Sequence, residues 1–401
     1  MVASNPFLKV NNNNRFVISR RFVKGKVARL TRGVYIAADV LDGMSPAERH
    51  RARAQAFLEA HEGVVPFGVT AALLLGADAA EVPETLHFAA APGAGRKTTR
   101  EKGVRLHRGV AASLSDDPDA AIVLQVALSE PPAAAVPVIN DMLRRGMPQS
   151  DMWRDRVFAP EALAGGPLRD WLNKTAAKRL LHTLETASGG SEAERAAAVE
   201  RVLAYRQYGF NTVGADEAIR AALEALGRMK RAHGRERALL SLLLATDTAE
   251  SAAESLFGVK CFALGYRSPA VQLNLLWKDG GGAEAAAARV DGVWALTEAA
   301  QAAMREQLSF RAAGSRKDRA LELSPALARD LLIFEFDGRS KFFELDEERE
   351  GGTERALYEA HRRQDMLTNR GCRFLRVVWK ELMDDAQLSE ILRAAGVPRR
   401  R

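Results

Sequence analysis

"DLLIFEFDGRSKFFEL", residues 330–345, closes an apolar run with two acidic residues, Glu335 and Asp337. The run predicts a buried strand, and residues two apart on a strand point to the same face of the sheet. Two carboxylates held together in a buried place repel each other unless a cation or a proton relieves the charge. The stretch therefore predicts a strand that ends in an acidic site. The alternative is an exposed strand end whose acids meet Arg339 and Lys341 in surface ion pairs.

The sequence around this strand predicts a helix, three strands, a second helix and a fourth strand. The first helix is expected to begin at Asp247, with Glu250 in its first turn, and to end near Gly265. Apolar alternation and turn residues predict the other elements, which are strand 269–277, strand 288–296, strand 330–338, helix 355–371 and a strand that opens segment 372–382. The C-terminal part is therefore predicted to be α+β.

Three acids fall on neighbouring elements of this series. Glu254 lies on the first helix, Asp291 in the second strand and Glu335 at the end of the third. Carboxylates that meet in this way form an all-oxygen site, which suits a hard cation such as Mg²⁺. With a lysine nearby, such a site favours attack of water on a phosphodiester. The simpler alternatives are a turn aspartate for Asp291 and a solvated helix residue for Glu254.

The composition limits the class of protein. The chain has 401 residues, 47% of them hydrophobic, which is enough for two or three domains with cores of their own. Its net charge of +7 permits a polyanionic partner without requiring one. With only two cysteines, a disulfide scaffold and a Cys-rich zinc site are excluded, and a cytoplasmic location is expected. No apolar run approaches the roughly 18 residues that a membrane-spanning helix needs, so no membrane partner is expected.

The front of the chain predicts a small α+β region. Residues 15–40 alternate basic and apolar residues, which predicts short strands joined at Gly25 and Gly33 after a disordered start. A capping box that opens at Ser45 predicts a helix next, and the segments ETLHFAA and GVRLHRG predict two further strands.

The middle of the chain predicts helices. Residues 111–245 are rich in Ala, Leu and Arg at helical spacing, and a second capping box runs from Ser191 to Glu194. This region is interpreted as a helical connector between an N-terminal winged or α+β region at 1–110 and a C-terminal domain at 246–401. The predicted fold is therefore a multidomain α+β protein.

The C-terminal elements resemble the PD-(D/E)XK nuclease superfamily, in particular its branch similar to very-short-patch-repair endonucleases. The resemblance rests on AAES around Glu254, RVDGVW around Asp291, FEFDGRSKF at 334–342, EAHRRQD at 359–365 and FLRVVW at 374–379. It implies a restriction-endonuclease-like αβββαβ domain that hydrolyses phosphodiester bonds of DNA with Mg²⁺ or Mn²⁺.

The same resemblance implies roles for individual residues. Asp291, Glu335 and Glu254 are the expected metal ligands, and Asp337 and Lys341 join them in the expected catalytic set. The superfamily's lysine is expected two residues after Glu335, where this chain has Asp337, so Lys341 is its expected substitute. A long insertion with a basic tip, FRAAGSRKDRA, stands between Asp291 and Glu335, where a short hairpin is usual.

The front of the chain is similar to AbiEi-type antitoxins in the segments ARLTRGVYIAADV, VTAALLLGAD and GVRLHRG. This likeness implies a winged-helix region, with DNA and a cognate toxin as partners. Only 28 residues precede Arg29, which leaves little room for a complete helix-turn-helix. DNA contacts are expected from basic side chains that suit phosphates, namely Lys24, Lys26, Arg29, Arg32, Arg316, Lys317, Arg362 and Arg363.

Two functions are consistent with these patterns. The first is a metal-dependent DNA endonuclease. The second is a non-catalytic DNA-binding regulator, the repressor half of a toxin–antitoxin pair. His107 and His361 stand beside arginines and are predicted to lie at the surface, and no histidine spacing indicates a zinc site.

Overall fold

A computed structural model describes the chain at residues 7–11, 13–90, 101–107, 109–110, 118–145, 159–160, 174–205, 216–229, 234–278, 285–310, 320–337 and 361–399. The described residues form a mixed α and β protein, as predicted. They belong to two compact units, the first comprising Met1–Leu168, Lys174–Val199 and Ala218–Leu242, and the second Arg169–Asn173, Glu200–Glu217 and Leu243–Arg401. The division into three domains stays a prediction.

In its described residues, the first unit holds three small sheets. Strands β1 (Leu8–Lys9), β2 (Val27–Thr31) and β3 (Val34–Ala37) are ordered β1-β3-β2. Strands β4 (Val64–Pro66), β5 (Leu86–Ala90) and β6 (Val104–His107) are ordered β4-β5-β6, and β7 (Gly109–Val110) pairs with β8 (Ala159–Pro160). The described helices up to residue 244, of which the last three extend partly into the second unit, are Arg15–Val23, Ala38–Gly43, Pro46–Ala60, Gly68–Leu74, Pro118–Ser129, Pro132–Arg145, Lys174–Ala187, Glu192–Leu203, Asp216–Arg228 and Arg235–Leu244.

The prediction of strands from residue 15 onward was wrong for the first nine residues, which form the helix Arg15–Val23. The preceding asparagines start this helix. The Asn11 side chain accepts hydrogen bonds from the backbone N–H groups of Asn13 and Asn14, both at 3.0 Å, which turns the chain into its first helical turn. The strands themselves were predicted correctly at β2 and β3, which turn at Gly33.

Both predicted capping boxes are confirmed. Glu48 accepts from the Ser45 N–H at 2.8 Å and opens the helix Pro46–Ala60. Glu194 accepts from the Ser191 N–H at 2.7 Å. Residues 111–245 are helical over most of their described part. No helix among the described residues combines the length and hydrophobicity that crossing a bilayer requires.

The second unit contains one five-stranded sheet with the order β11-β9-β10-β12-β13. Neighbouring strands are antiparallel in β9–β10 and β10–β12, and parallel in β12–β13 and β11–β9. In chain order the elements are helix Ala252–Ala263, β9 (Ala270–Lys278), β10 (Ala285–Ala295), helix Glu298–Phe310, β11 (Ala320–Glu322), helix Pro325–Arg329, β12 (Leu331–Asp337), helical residues 361–368, β13 (Arg373–Val378), and helices Trp379–Met383 and Asp385–Ala394.

The predicted helices and strands are each present in this unit, but the three strands do not follow one another directly. The extra strand β11 and the two helices between β10 and β12 were not predicted. They occupy the described part of the long insertion, whose basic tip at 311–319 lies outside the described residues.

The apolar run of β12 is explained by burial on both faces of the sheet. Leu331 and Ile333 join the core cluster that contains Met304. On the other face, the ring of Phe334 stacks on Phe257, with ring centroids 3.8 Å apart and planes inclined by 2°. Strand β12 is therefore a central strand, and its acidic residues follow the buried run while still paired with β13.

Candidate functional site

Strands β10 and β12 bring two of the predicted acids together. Gly292 pairs with Phe334 and Val293 with Ile333, so the next position in this register places Asp291 opposite Glu335. Asp291 also accepts a hydrogen bond from the backbone N–H of Phe336 at 2.9 Å. The two acids therefore lie on neighbouring strands, as the sequence predicted.

Gly292 lies within a strand, so the interpretation of Asp291 as a turn aspartate was wrong. Gly292 pairs with Phe334 on one side and Val271 on the other. A side chain at Gly292 would place its Cβ 3.0 Å from Pro269 Cβ and 3.3 Å from Phe334 Cδ1. Close packing around Phe334 thus explains the glycine that follows Asp291.

Glu254 is buried at the start of the helix Ala252–Ala263, so its interpretation as a solvated residue was wrong. Its carboxylate accepts from Ser251 Oγ at 2.9 Å, from the Glu250 N–H at 3.0 Å and from Gln272 Nε2 at 2.9 Å. Burial, with a further contribution from the charge of Asp291, raises the pKa of Glu254 above its ordinary value.

The predicted start of this helix was also wrong. The N-cap is Ser251 rather than Asp247, and its Oγ accepts from the Glu254 N–H at 3.2 Å. The sequence DTAESAAE contains the capping pattern twice in succession, and the structure uses the second copy. Glu254 thereby takes the helix-capping place that the prediction gave to Glu250.

Gln272 links Glu254 to the sheet in an unusual backbone conformation. Its φ is +54°, the left-handed region, and no other non-glycine residue in the described ranges has a positive φ. The β9–β10 ladder skips the pair between Gln272 and Asp291. The side chain of Gln272 donates to Glu254 and accepts from Arg289 Nε at 2.9 Å, and Arg289 also forms an ion pair with Glu250. The only sequence signal for this role was a polar residue inside an apolar strand.

Two arginines contact the carboxylate of Glu335. Arg363 Nη2 lies 3.3 Å from Glu335 Oε1, and Arg376 Nη2 lies 3.6 Å from Oε2. Arg376 faces Glu335 directly across the β12–β13 pair. Burial raises the pKa of Glu335, whereas the charge of Arg363 acts in the opposite direction. Sequence reasoning missed Arg376, because its partner becomes apparent only from the strand register.

The side chains of the other predicted site residues either lie outside the described residues or are exposed. Asp337 ends β12, and its side chain lies outside the described residues, as do Lys341, Arg316 and Lys317. Arg362 is exposed on the helical residues 361–368. The remaining predicted DNA-contacting residues are exposed on or beside the β2–β3 hairpin, namely Lys24, Lys26, Arg29 and Arg32.

The described side chains do not fit a Mg²⁺ or Mn²⁺ ion in this arrangement. No group of three or more His, Cys, Asp and Glu side chains among the described residues is placed to hold a metal. The carboxylate oxygens of Glu254 already accept hydrogen bonds from the start of the helix and from Gln272. The positive charge near Glu335 comes from Arg363 and Arg376. The predicted ligand set is thus an acid cluster stabilised by the protein's own donors.

No family model, curated protein or solved structure matches this chain.

A second cluster of buried titratable groups lies in the first unit, and here the surface prediction for His107 was wrong. His107 Nε2 lies 3.1 Å from His87 Nδ1, and His87 Nε2 lies 3.7 Å from Glu130 Oε1. His50 approaches from the helix Pro46–Ala60 and contacts Thr70 Oγ1 at 3.0 Å. His361, by contrast, is exposed as predicted.

Burial controls the protonation of this second cluster. It lowers the pKa of His87 to about 3, with further contributions from the charges of His107 and Arg105. It lowers the pKa of His107 to about 4, with a contribution from Arg105. Burial raises the pKa of Glu130 to about 7, opposed by the charge of Arg237. The histidines are therefore neutral in the folded chain at pH 7.

Proposed function

We propose that this chain is a DNA-binding regulatory protein whose second unit has a PD-(D/E)XK nuclease-like fold and binds DNA without cutting it. The order of elements in the second unit supports the nuclease-like fold, because β9, β10, β12 and β13 are adjacent with two antiparallel junctions and one parallel junction. The neutralisation of Glu335 by two arginines supports a non-catalytic role.

The observation that carries DNA binding is the helix Arg15–Val23 with the β2–β3 hairpin directly after it. Ile18 is the one buried residue of this helix, while Phe16 is 85% exposed and Val23 82% exposed. Its polar surface is basic and without acids, and exposed lysines and arginines continue into the hairpin. A short basic helix followed by a hairpin suits one groove and the flanking phosphates of a DNA duplex.

Replacing Lys26 or Arg29 with alanine is expected to weaken binding to a duplex of about 20 base pairs roughly fivefold at 0.15 M salt, because each change removes one phosphate contact. Fluorescence anisotropy over a series of salt concentrations measures this loss. Lys178→Ala is the matched control, since Lys178 is exposed in the first unit but lies on another helix. Equal affinities for all three variants and the wild type would contradict the proposal.

The likeness to AbiEi-type antitoxins adds a protein partner to this proposal. In that setting the chain represses its own operon and counters a toxin encoded beside it. A neighbouring gene for a nucleotidyltransferase-like protein, whose product copurifies with this chain, would support the toxin–antitoxin role. An isolated gene in a mobile-element setting would favour the nuclease function instead.

A metal-dependent DNA endonuclease is the second candidate function. It is favoured by the register that places Asp291 opposite Glu335 and by the electrostatic coupling of Asp291 to Glu254 and Glu335. Carboxyl groups with raised pKa values, such as those of Glu254 and Glu335, occur at functional sites more often than elsewhere. This candidate requires Glu335 to leave its arginines and Glu254 to leave Gln272 before a metal could enter.

Purified wild-type chain is expected to leave supercoiled plasmid uncut with Mg²⁺ or Mn²⁺, because Glu335 is held by two arginines and Glu254 by three hydrogen bonds. Agarose gels over several hours measure nicking and linearisation. Metal-dependent cutting would overturn the regulatory proposal if Asp291→Asn and Glu335→Gln both abolish it. The matched control is Glu390→Gln, an exposed acid on the helix Asp385–Ala394, which should leave any cutting unchanged.

A further inference from the structure

Arg363 and Arg376 approach one carboxylate from two different elements. Arg363 belongs to the helical residues 361–368, and Arg376 to β13, where it lies opposite Glu335 of β12. Each guanidinium contacts a different oxygen of Glu335, at 3.3 Å and 3.6 Å. The two positive groups therefore flank the carboxylate of Glu335.

These contacts are loose for charged partners. Guanidinium–carboxylate hydrogen bonds are typically about 2.7 to 2.9 Å long, and the fork of an arginine prefers to use two parallel bonds. Neither arginine makes such a bidentate contact with Glu335 among the described residues. Arg376 Nη2 also donates to Gln364 Oε1 at 2.7 Å, whereas the buried Nε of Arg363 has no hydrogen-bond partner in the described part of the chain. The contacts with Glu335 and Gln364 use only the Nη2 atoms, so each guanidinium keeps N–H groups that Glu335 does not occupy.

The arginines are also more accessible than the acid they hold. The side chains of Arg363 and Arg376 are each 38% exposed, whereas that of Glu335 is 13% exposed. An anion that arrives from solvent therefore meets the two guanidinium groups before it meets the carboxylate. A phosphodiester presents two non-bridging oxygens in a geometry that such forks match.

We propose that Arg363 and Arg376 form a clamp for one phosphate of DNA, and that Glu335 occupies this clamp in the unbound chain. The inference rests on the proposed DNA binding and locates a contact in the second unit. Glu335 keeps the two arginines in place without a ligand and competes with the phosphate for their charge. Glu335 therefore lowers the affinity of the two arginines for weakly bound polyanions. A DNA phosphate that is correctly positioned displaces Glu335 from them.

The test uses fluorescence anisotropy with the full chain and a duplex of about 20 base pairs. Arg363→Ala and Arg376→Ala are each expected to weaken binding about fivefold at 0.15 M salt and to reduce the slope of log K against log salt by about 0.9. Glu335→Gln is expected to tighten binding about fivefold, because the competing charge is lost while the shape is kept.

Arg373→Ala is the matched control, because Arg373 lies on the same strand, three residues from Arg376, and donates to the Ala395 carbonyl at 2.9 Å. It removes the same charge and is expected to leave the salt slope unchanged. Arg363→Lys and Arg376→Lys serve where an alanine variant fails to fold. These lysine variants retain the positive charge but lose the two-pronged guanidinium group. Each is expected to show about half of the affinity loss of the matching alanine variant, on a logarithmic scale.

The outcomes separate this inference from the proposed function. If the wild type binds DNA while the variants of Arg363 and Arg376 bind like Arg373→Ala, the clamp is excluded and DNA binding stands. If the arginine variants bind DNA more weakly but Glu335→Gln binds with unchanged affinity, Glu335 does not compete with the phosphate. That result overturns the proposal as stated. If the wild type binds no duplex at any salt concentration, both proposals fail.

Discussion

Replacing Phe334 with alanine is expected to lower the free energy of unfolding of the second unit by about 3 to 5 kcal/mol. Phe334 is fully buried, stacks on Phe257 and meets the edge of Trp294 at a ring distance of 6.1 Å. Its removal costs both the transfer of the ring from water and a cavity between the helix Ala252–Ala263 and the sheet. Urea unfolding followed by tryptophan fluorescence measures the change.

Phe336→Ala is the matched control for this experiment. Phe336 lies two residues further along β12, is only partly buried and meets Trp379 edge-on at 6.2 Å. The expected loss is less than half of that for Phe334, because less apolar surface leaves the core. Equal losses for the two variants would show that the stack on Phe257 contributes nothing specific to the stability of this unit.

Lowering the pH from 7 to 5 is expected to destabilise the first unit. The pKa values of His87 and His107 are about 3 and about 4 in the folded chain, below the ordinary value of 6.5. As the pH falls below 6.5, the unfolded chain binds protons at both histidines that the folded chain does not bind. Each such proton costs about 1.4 kcal/mol of stability per pH unit. The pKa of His50, also lowered by burial, changes stability in the same direction.

Glu130 opposes the histidines. Because its folded pKa is raised from 4.5 to about 7, its stabilising effect is complete below pH 4.5 and is lost as the pH rises through 7. Two histidines outweigh one glutamate, so the expected net loss between pH 7 and pH 5 is about 2 kcal/mol. Glu130→Gln removes the opposing effect, and the loss is then expected to reach about 4 kcal/mol.

Urea unfolding at pH 5, 6 and 7 measures both values, and hydrogen exchange of the β5 and β6 amides assigns them to this cluster. Glu81→Gln, a change at an exposed acid of the first unit, is the matched control and should follow the wild type. A wild type that gains stability on acidification, or a Glu130→Gln variant with the same pH dependence as the wild type, would contradict the assignment. In either case the buried histidines would not be the groups that set the acid limit.

The second unit shows how far local pattern predicts structure in this chain. The helix, the three strands, the second helix and the fourth strand were all predicted, because each has its own apolar period and its own turn or capping residues. The neighbourhood of Asp291 and Glu335 followed from the same information. The register that sets Asp291 opposite Glu335 is visible only in the paired strands, because an apolar run that is buried on both faces does not specify it from the sequence.

The same reasoning misplaced elements in which two local patterns compete. DTAESAAE offers two helix starts, and the structure uses the second, where Glu254 also contacts Gln272 of β9. The segment from Arg15 to Val23 has an alternating pattern but little buried surface, and it forms a helix that follows a side-chain turn at Asn11. Local propensities differ by fractions of a kcal/mol, and a single hydrogen bond of about 1 kcal/mol reverses them.

The chemistry of both clusters depends on partners far apart along the chain. Arg376 meets Glu335 because β12 and β13 are parallel neighbours, and Gln272, whose backbone is in the left-handed conformation, donates to Glu254 from β9. His87 and His107 meet because β5 and β6 pair in parallel. The periodicity of a sequence predicts whether a side chain points toward the core. It does not predict which charged group from another strand will face that side chain. Burial and charge pairing, which set the pKa values and the cation that an acid receives, therefore arise only when the sheets are assembled.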